Sequence, residues 1–130
     1  MSSGIDSRPT VAVVGASRDR SRFGNISVRA HLQQGYRVFP VNPNAAEVEG
    51  LPAFPSLSDL PTQQLDRITV YVPPNIGIEL LDEIANVDVD EVWFNPGSAD
   101  SSLRTRANEL GLEIIEACSI VDLGISPDSV

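Results

Sequence analysis

The sequence contains no lysine, one cysteine and one histidine in 130 residues, and the last two shortages each remove a class of chemistry. A lone Cys118 cannot form an internal disulfide, and without a second thiol there is no cysteine-rich zinc site. A lone His31 leaves no histidine pair for a metal, and no HxxxH, CxxC or paired-carboxylate motif is present. No apolar run approaches bilayer-spanning length. The N-terminus lacks a basic flank followed by an apolar stretch, so no signal peptide is expected and a cytoplasmic protein is the default. Positive charge is scarce too. Nine arginines against eighteen acids give a net charge of −9, which argues against nucleic acid or an anionic membrane as partner.

What is present starts at Val11-Ala12-Val13-Val14. Four small or β-branched apolar residues in a row read as a strand buried on both faces, the mark of a parallel sheet. Gly15-Ala16-Ser17 then lets the backbone turn tightly, and a helical pattern opens near Gly24-Asn25. A strand, a small-residue loop and a helix N-terminus in that order make an anion cradle, because unpaired N–H groups and the helix dipole both favour negative charge. Three of the nine arginines, Arg18, Arg20 and Arg22, fall in this one loop. The fingerprint G-x-G-x-x-G is absent, so the loop reads as a phosphate site or as a plain turn with a solvated arginine rim.

Strand and helix signals alternate along the rest of the chain. Arg37–Val41 reads as a strand after a helix that Gly35 ends, with Pro40 pointing to an edge position. Residues 45–65 read as a connector with one helical turn at Ser56–Leu60. Arg67–Val72, Glu91–Phe94 and Leu112–Ile115 read as further strands. Ile76, Leu80, Leu81 and Ile84 space as one helix face, and Leu103, Ala107 and Leu110 as another. The expectation is one α/β domain, a Rossmann-like doubly wound open parallel sheet of about five strands. Its bounds are 9–121, with loose tails at 1–8 and 122–130. Ligands in such sheets sit beyond the carboxyl ends of the strands.

The groups needed for catalysis are thin at that rim. His31 falls inside the first helix and reads as a surface or boundary residue. Cys118 and Glu116 lie at the rim, two apart on an extended chain and so on one side. They form the one acid–thiol arrangement on offer. The residues favour a binding module over an enzyme. A dinucleotide site would carry an acid at the end of the second strand to hold the ribose, and Asn42 stands there instead.

With these residues placed, the chain resembles the CoA-binding domain family, stand-alone proteins similar to the N-terminal domain of the succinyl-CoA synthetase α-subunit. The resemblance rests on V-A-V-V-G-A-S at 11–17, G-Y-R-V-F-P-V-N-P at 35–43, E-V-E-G-L-P-A-F-P-S-L at 47–57, Y-V-P-P at 71–74 and E-A-C at 116–118. It implies coenzyme A or acyl-CoA as ligand. Gly15, Ala16 and Ser17 would meet the pyrophosphate, with Arg18 and Arg22 as the basic groups of the loop. Val41, Asn42 and Pro43 would lie along the adenosine. Val72, Pro73 and Pro74 would flank the adenine or pantetheine path, and Asn95, Gly97 and Cys118 would approach from rim loops. Basic residues common in the family after V-N-P and after the cysteine are replaced here by Asn44-Ala45-Ala46 and Ser119-Ile120-Val121. The runner-up is a nucleotide-responsive module that regulates a protein partner; a weaker alternative is a fragment of an NAD(P)-dependent oxidoreductase.

Overall fold

Val11 through Val14 are all buried, and their side chains alternate between two separate cores. A strand covered on both faces needs helices on both sides, and that arrangement surrounds β1 (Thr10–Val14). The computed structural model describes residues 7–130, so most of the tail expected at 1–8 lies outside the described residues. After β1 come α1 (Phe23–Gln33), β2 (Arg37–Val41), β3 (Glu47–Val48), β4 (Leu51–Pro52) and β5 (Gln64–Val70). The chain continues through α2 (Pro74–Ala85), β6 (Asp88–Phe94), α3 (Ser101–Glu109), β7 (Ile115–Glu116) and α4 (Ser119–Asp122).

Five strands run parallel in the order β2-β1-β5-β6-β7. Ala12, Val14, Ile68, Val70 and Phe94 face the larger core, with Leu81 and Ile84 of α2 and Leu103 of α3. Val11 and Val13 face the smaller core, with Val28 of α1. This is the single α/β domain with a doubly wound, Rossmann-like parallel sheet that the sequence predicts. The chain leaves β1 for β2 on one side and returns to β5 on the other. The winding therefore reverses between β1 and β5, and the loops that follow these strands part to leave a crevice.

Pro40 lies in the edge strand β2, where its missing N–H breaks no ladder. Its carbonyl still accepts the Phe54 N–H at 3.0 Å, so the connector covers part of the open edge. Within that connector β3 and β4 pair antiparallel around Glu49-Gly50, both at positive φ (51° and 77°). The sequence predicts no strands here. Two-residue strands carry no period to detect, and Glu-Gly is an unusual pair for such a turn.

Other local readings change as well. The last strand is Ile115–Glu116 rather than Leu112–Ile115, because the Leu112 N–H turns back to close α3 on the Ala107 carbonyl at 2.9 Å. His31 is fully buried rather than at a boundary. The segment from Asp122, expected to be loose, holds no buried residue but is tied to the domain at two points. Asp122 pairs with the buried Arg67 at 2.7 Å, and Arg29 donates to the Val130 carbonyl at 2.9 Å.

Candidate functional site

Gly15 ends β1 at φ 87°, a conformation that L side chains rarely adopt. A Cβ there would stand 3.1 Å from both the Tyr71 carbonyl carbon and Val72 Cγ1. Opposite, Gly24 in the first turn of α1 sits against the Gly15 carbonyl oxygen, so close that a Cβ on Gly24 would overlap it. The two glycines press the helix start onto the loop, the role a glycine plays in close strand–helix packing.

The loop between them is knit by its own side chains. Ser17 Oγ accepts the Asp19 N–H at 3.0 Å, and Asp19 accepts both the N–H and the hydroxyl of Ser21. These bonds, ahead of nearby Arg22, hold the Asp19 carboxyl below the usual carboxylate range. Asn25 reaches back from α1 to the Ser17 carbonyl at 2.8 Å. Arg22 is the N-cap residue of α1 and makes no side-chain cap. Among the described residues, no acceptor meets the N–H groups of Ala16, Ser17, Phe23 or Gly24. An uncapped helix start beside unpaired loop amides is a ready anion site.

The crevice has two arms that share Gly15, Arg22 and Val72. A longer arm of about 610 Å³ runs past Pro73, Asn95, Gly97 and Cys118. A shorter arm of about 410 Å³ runs past Ala16, Ser17, Val41, Asn42 and Pro43. The structure thus gathers most of the residues singled out in the sequence at the carboxyl ends of the strands. Arg18 and Pro74 line neither arm. The arginine cluster does not act as a unit: Arg22 borders the crevice, while Arg20 lies 3.6 Å from Glu49.

Residues that the sequence reading missed also line it. Phe23, at 57% exposed, and Gly24 border the longer arm with Tyr71. Ile76, at 45% exposed, and Leu80 border the shorter arm. In the sequence these two merge with Leu81 and Ile84 into one apolar face. In the fold Leu81 and Ile84 are fully buried in the core, while Ile76 and the partly buried Leu80, which also packs against that core, border the crevice.

Behind the longer arm lies a buried polar network. Asn95 donates to Thr69 Oγ1 at 2.6 Å and to the Val70 carbonyl at 3.0 Å. Its carbonyl accepts the Ser119 N–H at 2.9 Å and the Ser119 hydroxyl at 3.2 Å. Ser119 also meets Tyr71 Oη at 3.0 Å, and burial pushes the Tyr71 hydroxyl up from its ordinary value of 10.0. With its amide so committed, Asn95 acts as a strut that fixes the start of α4, and hence Cys118, against the sheet.

Glu116 and His31 line neither arm. Arg104 grips Glu116 through three hydrogen bonds of 2.8–3.0 Å and holds its carboxyl below the usual range. The Glu116–Cys118 arrangement suggested by their spacing therefore has its acid engaged elsewhere. His31 Nδ1 donates to the Ser27 carbonyl at 2.8 Å, leaving Nε2 to accept from Arg67 at 3.4 Å. Burial pushes its pKa down to about 4, so the ring is neutral at pH 7.

Comparison with known proteins adds the family. The chain is 37% identical over 78 residues to the ADP-forming acetate–CoA ligase II of Archaeoglobus fulgidus, covering 58% of this chain but 11% of the ligase. The chain thus spans only a small part of the curated relatives it matches. A conserved hypothetical protein from Pyrococcus furiosus superimposes with a TM-score of 0.79 at 33% identity, covering 88% of this chain and 98% of that one. The dinucleotide-forming acetyl-coenzyme A synthetase 1 of Ca. Korarchaeum cryptofilum, in complex with phosphate and ADP, superimposes at 0.69 and 28% identity, covering 82% of this chain and 25% of that one. Residues 9–124 match the family described as CoA binding domain, and the chain belongs to that family.

Proposed function

We propose that this chain binds coenzyme A or an acyl-CoA in the crevice and performs no chemistry on it alone. The observation that carries the reading is the uncapped start of α1, pressed by Gly24 onto the Gly15 loop at the junction of the two arms. A pyrophosphate there would accept from the amides of Ala16, Ser17, Phe23 and Gly24, with Arg22 at its side. The adenosine would extend into the shorter arm between Val41, Pro43, Ile76 and Leu80. The pantetheine would follow the longer arm past Pro73 and Gly97 toward Cys118. Membership of the CoA-binding domain family supports the ligand class, and the names of the ligase relatives agree with it.

The same parts disfavour chemistry. General acid–base or nucleophilic work needs a nucleophile and a base within hydrogen-bond reach. Beside Cys118 the nearest candidate acid in sequence, Glu116, is bound to Arg104, and the buried His31 bonds Ser27 and Arg67. The experiment is mass spectrometry of small molecules released from the purified protein. CoA or an acyl-CoA in stoichiometric yield supports the reading. A different nucleotide in that yield would replace it.

A further inference from the structure

The shorter arm becomes acidic with distance from the junction. Ile76, Leu80 and Glu83 follow at four- and three-residue spacing along α2, so all three share the face that borders the arm. At the rise of an α-helix, Glu83 stands about 10 Å further along than Ile76. There Glu83 accepts the Ser58 N–H at 3.4 Å, and the neighbouring lining residue Ser56 donates its hydroxyl to Asp59 at 2.7 Å. The cation lining this arm is Arg22, at the junction. Charge therefore runs from positive beside the helix start to negative where a nucleoside would end.

Resting on the CoA-type reading above, we propose that this arm accepts adenosine without a 3′-phosphate, so that dephospho-CoA binds at least as tightly as CoA. Glu83 is the specificity-determining residue. Its carboxylate can accept hydrogen bonds from the amino group of an adenine or from ribose hydroxyls. A 3′-phosphate brings about two negative charges toward the same carboxylate, and like charges repel across this half-open arm. The apolar walls from Val41, Pro43, Ile76 and Leu80 serve either ligand equally, so discrimination falls on charge.

Calorimetric titration of the purified chain with CoA and with dephospho-CoA tests this. The expected result is a dissociation constant for dephospho-CoA equal to or below that for CoA, with any gap narrowing as salt rises. Glu83→Gln is expected to tighten CoA by about three- to tenfold while changing dephospho-CoA less. CoA binding more tightly than dephospho-CoA in the native chain would overturn the proposal. So would an equal change for both ligands in Glu83→Gln. Failure of both ligands to bind would instead defeat the CoA-type reading beneath it.

Discussion

The side-chain amide of Asn42 donates to the Ala16 carbonyl at 2.7 Å, tying the end of β2 to the loop after β1. Its own carbonyl accepts the Asn44 N–H at 2.7 Å. With both ends engaged, Asn42 holds the loop in place instead of offering an acid to a ribose. Asn42→Ala should lower stability by about 1–2 kcal/mol and weaken ligand binding along with it. Urea denaturation and calorimetry on the same samples would show both losses; binding lost with stability unchanged would make Asn42 a direct ligand contact.

Gly24→Ala tests the contact between the two glycines. Its methyl group would overlap the Gly15 carbonyl, and backbone must move to make room. We expect a loss of about 1–3 kcal/mol, the range for overpacking a tight site, although alanine is the better helix former. A stabilised variant would mean the loop is free to shift.

Arg22 separates binding from folding. Its side chain is 74% exposed and lies 3.6 Å from Asp19, a contact of little consequence for stability. Arg22→Ala should leave the melting temperature unchanged and weaken CoA by about 1.5–3 kcal/mol, the range for a hydrogen bond to a charged group. Unchanged affinity would return Arg22 to the solvated rim.

His31 sets a pH dependence. Burial pushes its pKa from 6.5 down to about 4, so between those values the unfolded chain binds the extra proton. Stability contributed by the neutral ring is full above pH 6.5, falls as pH drops, and is lost by about pH 4, about 3 kcal/mol in all. Glu116 and Asp19, both held low, add their own losses only below their ordinary values of 4.5 and 3.8. Denaturation midpoints from pH 6.5 to 5 should therefore slope in the native chain and flatten in His31→Leu. Parallel slopes in the two would contradict a buried neutral histidine.

The sheet was legible because its strands carry their own signal: unbroken valines at Val11 to Val14 require cover on both faces. The tight turn after β1, with Gly15 at φ 87°, was legible from Gly15-Ala16-Ser17 for a similar local reason. What stayed hidden depends on contacts distant in sequence. His31 is covered by Arg67, thirty-six residues further on, which reaches its ring at 3.4 Å and also stacks 4.9 Å over Trp93. The order of the C-terminal segment comes from Arg67 reaching Asp122, a pairing fifty-five residues apart. The split of Ile76 and Leu80 from Leu81 and Ile84 needed the sheet's position, which one helix period does not contain.

The measurement that bears most directly on the central claim is calorimetric titration of the native chain with CoA and with NAD, using Gly15→Val as control. CoA should bind with a dissociation constant on the order of micromolar to millimolar, and NAD more weakly. Gly15→Val should lose CoA binding, since its side chain would meet Tyr71 and Val72 from a residue at φ 87°. Tighter binding of NAD than of CoA, or full CoA affinity in Gly15→Val, would contradict the account.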